Sequence, residues 1–406
     1  MARRVLFGWE LGEGNGHLRP YLSLLRELAG LGWDVGVAQR NTAVAATELA
    51  PTGWSVFQAP VCQNEFSGIS ASPANHTEIC LAAGFAHAET LLGLVSAWRA
   101  LFRSFEPDLV IGNFSPVLML ASHAAGVPAL RLGTGYNSPP LAGRPPLIQP
   151  WTPGMDERLD RAEAHALKTA NGVMRALGLP PLAELGAALE GRGTLLATIP
   201  AIDPFPSRPA SHEYIGPMPA SRLPAVDRAL PEVFASLRMD HPHAEAALQA
   251  LRGCGRRAWA YVPDATPAWC ARISTPDLLV SPQPFDLPTA LGACRAVVTY
   301  GGHSLVLAAL LAGRPLLLLP DSGERQLTAM KVTELGAGLA AGRDERPARV
   351  ATALKRILEE AAFTEAARRI EAGQPPDVGS RALARAVAAC EAAVMPSAVP
   401  LKVVRS

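Results

Sequence analysis

Four consecutive residues, Gly301, Gly302, His303 and Ser304, have the types and the order that a site for an anion needs. Paired glycines allow a tight turn and a close approach of the backbone to a ligand, because no Cβ stands in the way. The apolar run that follows predicts a helix, whose first N–H groups and positive dipole end favour a phosphate. His303 and Ser304 could add a ring N–H and a hydroxyl. A tight turn without a ligand remains the alternative, because short glycine motifs are common.

His17 is the candidate general base. It follows the glycine-rich residues 12–16 at the end of the first predicted strand. A histidine titrates near neutral pH, so it can take a proton from an attacking hydroxyl. The alternative is a histidine at a helix start that makes only local hydrogen bonds. Glu10 and Glu13 flank this turn, and each is predicted to be a solvated loop carboxylate, with a part in the chemistry as the less favoured interpretation.

The other histidines predict no metal site. His241 and His243 resemble the start of a helix, and no third ligand lies at a suitable spacing. His76 and His87 would share one face of an unbroken helix and could line a pocket, although Gly84 weakens that continuity. Ordinary histidines on a helix surface are the alternative.

The elements that must position these residues alternate between strand and helix. Strand, helix, strand in succession predicts a parallel sheet with helices on both faces. In the first half, strands are predicted at 4–9, 33–38 and 127–133, and residues 106–116 are predicted to form a strand that ends in a polar turn. Helices are predicted at 18–31 and 117–125, with a proline-rich loop at 139–153. In the second half, strands are predicted at 257–262, 278–281, 296–299 and 315–319, with helices at 288–293, 305–312, 348–372 and 381–393.

A change of composition divides the chain. Residues 199–228 contain seven prolines, which disfavour helix and predict a stiff extended connection. The boundary is placed near Pro217, and this gives domains at 1–216 and 217–375. Residues 376–406 are expected to form a last helix that returns to the first domain.

Bulk composition limits the classes of function. The chain has 406 residues, more than one ordinary core holds, and 49% of them are hydrophobic. A formal net charge of +1 and the lack of a long basic run argue against a nucleic-acid surface. The six cysteines form no CxxC pair, which favours reduced thiols. The first apolar run is too short for a signal peptide and no apolar run could cross a bilayer, so a cytoplasmic protein is expected.

Three separated segments resemble family 1 glycosyltransferases of the GT-B fold, the group that includes macrolide- and flavonoid-modifying enzymes. "GNGHLRPYLSLLRELAGLGWDV" resembles the N-terminal pattern GHxxPxLxLAxxLxxxGHxV of that family, and "YIGP" at 214–217 resembles the segment that leads into its linker. Residues 281–342 resemble its donor-binding region. The resemblance implies two Rossmann-like domains that face a cleft, the first binding an acceptor and the second a nucleotide sugar.

The resemblance also implies roles for individual residues. His17 falls at the position of the base that activates an acceptor hydroxyl for transfer with inversion. Gln283 falls where the family contacts the base or ribose of the donor, and residues 301–304 fall in its diphosphate loop. Glu324 falls near the acidic residue that holds sugar hydroxyls. The implied co-substrate is a UDP- or dTDP-linked sugar, with a small-molecule acceptor, no metal and no other cofactor.

Departures from the family pattern lie at matched positions. Tyr300 stands where most members have His, and Glu324-Arg325 stands where many have Asp-Gln or Glu-Gln. Asn113 stands on the turn where many members have an Asp that orients the base. An amide can orient an imidazole but cannot balance its positive charge, so a weaker base and an acidic acceptor such as a phenol are expected.

Two other interpretations stay open. A dinucleotide-dependent oxidoreductase would need GxGxxG after the first strand and an acid after the second, but His17 occupies the third glycine position and Gln39 that of the acid. A non-catalytic relative that binds a small molecule or assists a partner enzyme is the stronger alternative, because three matched positions have changed.

Overall fold

The computed structural model describes residues 2–12, 15–62, 72–218, 223, 229–342 and 346–395, with the backbone alone for residues 15, 44–47 and 347. Contacts divide the chain into two compact units. The first comprises residues 1–197, 207–218 and 380–406, and the second comprises 198–206 and 219–379.

The first unit is built on a seven-stranded parallel sheet with the strand order β3-β2-β1-β4-β5-β6-β7. The strands are β1 Arg4–Trp9, β2 Asp34–Gln39, β3 Ser55–Gln58, β4 Leu109–Asn113, β5 Ala129–Gly133, β6 Thr194–Leu196 and β7 His212–Tyr214. The central strands are near-continuous apolar runs, as expected for strands that are covered on both faces.

Helices cover both faces of this sheet. They are α1 Leu22–Gly30, α2 Thr42–Leu49, α3 His76–Cys80, α4 Ala88–Phe105, α5 Pro116–Ala125, α6 Asp156–Ala176 and α7 Gly186–Leu189. Alternate residues of β1 point to opposite cores, with Leu6 packing among α4 and α5 side chains and Phe7 packing against α1.

The second unit has a six-stranded parallel sheet with the order β10-β9-β8-β11-β12-β13. Its strands are β8 Val233–Ser236, β9 Ala258–Tyr261, β10 Leu278–Ser281, β11 Ala296–Thr299, β12 Leu316–Leu318 and β13 Gly338–Ala340. Its helices are α8 Ala244–Gly253, α9 Pro267–Ile273, α10 Leu287–Ala293, α11 His303–Leu311, α12 Gly323–Glu334, α13 Pro347–Glu359 and α14 Ala361–Ala372.

The last helix, α15 Val378–Val394, packs on the first sheet. Ala386, Cys390 and Ala393 are buried in the same core as α1. The predicted fold class, two Rossmann-like parallel-sheet domains with a returning C-terminal helix, is therefore confirmed.

The proline-rich segment at 199–228 differs from the predicted extended connection. It contains a 3₁₀ turn at Pro200–Ile202 and the strand β7, which pairs with β6. Ile199 and Ile202 are buried in a core of the second unit, so residues 198–206 group with that unit and not with the domain predicted at 1–216. The burial of these two isoleucines in the second unit places residues 198–206 there, although the chain returns to the first unit at residue 207.

Several elements were not predicted from the sequence, β8, α6 and α12 among them. Other bounds moved by one to three residues, and the predicted helix at 18–31 is a 3₁₀ turn at Arg19–Tyr21 followed by α1. By length and apolar content, no single helix within the described residues could span a membrane; the pair His76–Phe85 and Ala88–Phe105 would pass only together, and it bends by 81°.

The prediction that Glu10 is a solvated loop carboxylate is wrong, because its side chain is buried. Its oxygens accept hydrogen bonds from the backbone N–H groups of Val117 and Leu118 at 3.0 and 2.7 Å, at the start of α5. The indole N–H of Trp98 donates to it at 2.7 Å. Burial raises the pKa of Glu10 to about 8, against the lowering by these hydrogen bonds. Glu13 lies outside the described residues.

Glu10→Ala is expected to lower the free energy of unfolding of the first unit by about 2–3 kcal/mol, because buried N–H donors lose their acceptor. Urea denaturation followed by tryptophan fluorescence measures this loss. Glu27→Ala, which removes an exposed carboxylate from α1, is the matched control and should change stability by less than about 0.5 kcal/mol. Equal losses in the two variants would contradict the capping role.

Candidate functional site

Each sheet reverses its strand order once, and His17, Asn113 and the turn at Gly301 lie at these two places. In the first sheet the reversal falls between β1 and β4, where His17 follows one strand and Asn113 ends the other. In the second sheet it falls between β8 and β11, and the turn at Gly301 follows β11. Open α/β sheets bind ligands at the carboxyl ends of the strands at such switch points.

The ring of His17 is held by the side chain of Asn113. The His17 Nδ1 and Asn113 Oδ1 atoms are 2.7 Å apart. Asn113 donates its amide N–H to the carbonyl of Leu132 at 2.7 Å, and this bond fixes which end of the amide faces the histidine. Because an oxygen faces Nδ1, that nitrogen must carry the proton, and Nε2 is left with a free lone pair. The pair therefore selects the tautomer that can accept a proton at Nε2.

The imidazole of His17 can occupy its position only because residue 12 is a glycine. A Cβ at position 12 would lie 2.3 Å from that atom, and the backbone there has a φ of +89°, which favours glycine. Burial lowers the pKa of His17 from its ordinary value, and the hydrogen bond that the His17 ring donates to Asn113 offsets part of this effect. His17 is consequently a neutral, weak base at physiological pH.

His76 does not share a helix with His87. The chain breaks at Gly84, where φ is 120°, and His87 precedes α4 on the surface. His76 is buried, and desolvation together with the charge of Arg131 lowers its pKa to about 3. Its Nδ1 has no hydrogen-bond partner within the described part of the chain, and the side chain lines a cavity of about 10 Å³, the size of one water.

In the second unit, the glycine turn leads directly into α11. Gly301 has a φ of +94°, and Gly302 is the N-cap residue, which has no side chain to satisfy the first N–H groups. The helix begins at His303, two residues earlier than predicted, so His303 and Ser304 belong to its first turn. The backbone donors of that turn are thus arranged as an anion-binding terminus.

Tyr300 and Arg325 contact each other beside this turn. The Arg325 guanidinium lies 4.4 Å from the centroid of the Tyr300 ring and forms an ion pair with Asp321. Gly301 also lies against the backbone of Arg325. Glu324 directly precedes Arg325 in α12, and its pKa is raised by burial, with a smaller lowering by the charge of Arg325. The two departures from the family pattern, at 300 and 325, therefore form one contact.

Arg238 is a candidate that sequence reasoning missed, because the strand that precedes it, β8, was not predicted. Ser236 at the end of β8 pairs in register with Thr299 at the end of β11, so Arg238 and Tyr300 leave neighbouring strands at the same edge. Arg238 forms an ion pair with Asp240, and the hydrogen bond to Asp240 raises the pKa of Arg238, with a smaller contribution from the charge of Asp321. A second guanidinium thus stands near the glycine turn.

Gln283 lies apart from the turn, at the carboxyl end of β10 and three strand spacings from β11, about 14 Å by the usual separation of strands. It is exposed and lines a groove of about 520 Å³. Other residues of this groove are Pro267, Cys270, Ser274, Val280, Ser281 and Phe285.

The structure thus brings together His17 with Asn113 in the first unit, and residues 300–304 with Arg325 in the second. His241 and His243 start α8 and bond to the carbonyls of Leu319 and Gly342, as expected for structural histidines. Among the described residues, no group of three or more histidine, cysteine or acidic side chains could hold a metal ion.

Gly12→Ala is expected to displace the imidazole of His17 and break its hydrogen bond to Asn113. Nitrogen-detected NMR of the histidine side chains would report this as loss of the single protonated-Nδ1 tautomer. Gly30→Ala is the matched control, since a Cβ there meets nothing within 4 Å. A spectrum of the Gly12→Ala variant in which His17 keeps its wild-type tautomer would contradict this packing.

Comparison with known proteins gives the family. The C-terminal domain model of erythromycin biosynthesis protein CIII-like proteins matches residues 280–381. A PGL/p-HBAD biosynthesis glycosyltransferase of Mycobacterium tuberculosis is 30% identical over 337 residues, 76% of this chain and 77% of that protein. An inactive PGL/p-HBAD biosynthesis glycosyltransferase of Mycobacterium bovis is 30% identical over 202 residues, 46% of this chain and 53% of that protein.

Solved structures agree in fold. The calicheamicin glycosyltransferase CalG4 superposes with a TM-score of 0.71 at 21% identity, over 98% of this chain and 100% of that chain. The glycosyltransferase VinC in complex with dTDP superposes with a TM-score of 0.68 at 18% identity, over 96% and 99% of the two chains. The chain therefore belongs to the family 1 glycosyltransferases of the GT-B fold.

Proposed function

We propose that this protein transfers a sugar from a UDP- or dTDP-linked donor to a hydroxyl group of a small-molecule acceptor, with inversion and without a metal ion. His17 acts as the general base. The observation that carries this proposal is the fixed tautomer of His17, since the bonds from Nδ1 to Asn113 and from Asn113 to Leu132 leave Nε2 free to take a proton.

The chemistry divides between the two units. The acceptor hydroxyl gives its proton to Nε2 of His17 as its oxygen bonds to the anomeric carbon, on the face opposite the diphosphate. The bond from that carbon to the diphosphate oxygen breaks, and the diphosphate leaves with an added negative charge. The first turn of α11, with Arg325 and Arg238, offsets that charge.

A weak base favours an acidic acceptor. Asn113 lacks the negative charge that would stabilise an imidazolium, and burial lowers the pKa of His17 further. A phenol ionises several pH units more readily than an aliphatic alcohol, as the tyrosine pKa of about 10 illustrates. The acceptor class proposed is therefore a phenolic hydroxyl.

The donor is proposed to lie along the carboxyl edge of the second sheet. Its diphosphate would meet the glycine turn, and its base would reach the groove at Gln283. Glu324 would bind hydroxyls of the sugar. The dTDP bound to VinC, a protein of the same fold, supports a thymidine nucleotide as the first ligand to test.

A non-catalytic function is the second candidate. The specific observation in its favour is that Arg325 is already engaged by Tyr300 and Asp321 where family members present other groups to the donor. One relative at 30% identity is an inactive glycosyltransferase. A protein of this kind would bind the acceptor or a nucleotide yet transfer no sugar, so a transfer assay distinguishes the two functions.

Binding of dTDP to the protein and to an Arg238 variant tests the donor site. dTDP at about a hundredfold excess over its Kd should stabilise the protein by about 2.7 kcal/mol and raise its Tm. Arg238→Ala should weaken dTDP binding about 10- to 100-fold in calorimetry, because a charge-assisted hydrogen bond contributes about 1.5–3 kcal/mol.

Arg295→Ala is the matched control for that experiment. Arg295 is exposed and directly precedes β11, at the edge of the sheet opposite the glycine turn. Its loss should leave dTDP affinity unchanged. Absence of binding by UDP and dTDP at millimolar concentration would refute the nucleotide site.

The pH dependence of transfer tests the base. kcat/KM with a phenolic acceptor should stay level from pH 8 to about 6.5 and fall at lower pH, because His17 accepts a proton only when neutral and its pKa lies below 6.5. Asn113→Asp should move this acidic limb to higher pH, since a carboxylate stabilises the imidazolium. His17→Ala should lower kcat about 10²- to 10⁴-fold.

His87→Ala replaces an exposed histidine of the same unit and should keep the wild-type rate and profile. Full transfer activity in His17→Ala would exclude His17 as the base. Nucleotide binding without transfer to any phenol in a broad panel would favour the non-catalytic function.

A further inference from the structure

Two aromatic rings stack on the imidazole of His17. The Trp9 ring centroid is 5.2 Å from that of His17 with an interplanar angle of 14°, and the Phe114 ring centroid is 5.9 Å away at 19°. Both rings thus present their faces and not their edges to the histidine. The face of an aromatic ring carries partial negative charge and attracts a cation within about 6 Å.

The backbone is arranged to put these rings in place. Trp9 and Asn113 are register partners on adjacent strands, so the stacking ring and the hydrogen-bonding amide start from the same level of the sheet. Phe114 has a φ of 47°, a left-handed conformation that is rare for a bulky residue. The Leu11 N–H donates to the Phe114 carbonyl, and the Ser115 hydroxyl lies within hydrogen-bond distance of the carbonyls of Gly8 on β1 and Asn113 on β4.

Strained backbone of this kind persists where the surroundings hold it, and it concentrates at functional sites. A residue in extended conformation at 114 would aim its side chain elsewhere. The fold therefore maintains an unfavourable backbone conformation and, with it, the stacking of Phe114 on His17.

We propose that Trp9 and Phe114 are positioning residues that orient the imidazole of His17 and stabilise its protonated form through their ring faces, in place of the carboxylate that position 113 lacks. The proposal rests on the proposed role of His17 as the base. It explains how a histidine paired with a neutral amide can still hold a proton during transfer.

The titratable groups around His17 leave this task to the rings. Glu10, next to Trp9, is turned toward the start of α5 and Trp98. His76 contacts Phe114, at 6.1 Å between ring centroids, and is neutral because its pKa is lowered to about 3. The other direct partner of the imidazole within the described residues is the amide of Asn113.

The test is an NMR titration of His17 in the full-length protein, with the signal assigned by its loss in His17→Gln. Phe114→Leu keeps an apolar side chain of similar size but removes the ring face. It should lower the pKa of His17 by about half a unit, about a threefold loss of proton affinity, and Trp9→Leu should lower it at least as much.

The direction of the change separates the proposal from simple loss of packing. Opening the site to water would raise the pKa toward its ordinary value, because burial is what lowers it. Tyr136→Leu is the matched control, since Tyr136 forms a T-shaped pair with Phe114 at 6.4 Å between ring centroids and its loss should not change the pKa of His17.

A pKa that is unchanged or raised in Phe114→Leu would overturn the proposal, as would an equal fall in Tyr136→Leu. Trp9 is buried, so Trp9→Leu could fail to fold. Phe114 is only half-buried, and the pKa of His17 in Phe114→Leu then tests the proposal by itself. The titration requires neither donor nor acceptor. Failure of the rings to shift the pKa is thus distinguishable from failure of His17→Ala to lose transfer activity.

Discussion

The side-chain amide of Asn113 is the constraint on which the candidate site of the first unit depends. It binds the Leu132 carbonyl with its N–H and the His17 ring with its oxygen, each at 2.7 Å. An amide has distinct donor and acceptor ends, so fixing one end fixes the other. The sheet supplies the first contact, because β4 and β5 pair in register up to Gly112 and Arg131, which brings Asn113 beside Leu132. The pairing of β4 with β5 thus determines which nitrogen of His17 carries the proton, because it fixes the orientation of the Asn113 amide.

Other neutral groups within the described residues also contact that histidine. Trp9 and Phe114 contribute ring faces, and Gly12, which has no Cβ, leaves room for the imidazole at Nε2. The buried Glu10 nearby serves the fold, since it accepts hydrogen bonds at the start of α5 and thereby holds the segment that carries Asn113 and Phe114. The site of the first unit consequently combines a rigid support with a weakly basic centre, which suits an acceptor that already ionises readily.

The second unit uses charge where the first uses neutral groups. Arg325 stacks on Tyr300 and pairs with Asp321, and Arg238 pairs with Asp240 at the end of the neighbouring strand. Each guanidinium is held by an acid. A ligand with two or more negative charges could replace part of these internal pairs. The substitution of Tyr for His at 300 is thus accompanied by positive charge from elsewhere in the same unit.

The sequence by itself determined the fold class, the strand that precedes each switch point, and the family. Apolar runs, glycine turns and the order of motifs are properties of short segments, so they can be read directly from the sequence. It also identified His17, Asn113 and residues 300–304 as a set worth joining. It mispredicted Glu10 and missed Arg238, since burial and proximity depend on which strands pair, and β8 lacks a strong local pattern. Only the tertiary structure decided the tautomer of His17, the contact of Tyr300 with Arg325, and the stacking of Trp9 and Phe114. Those properties arise where separate strands, turns and helices meet, and no local spacing records them.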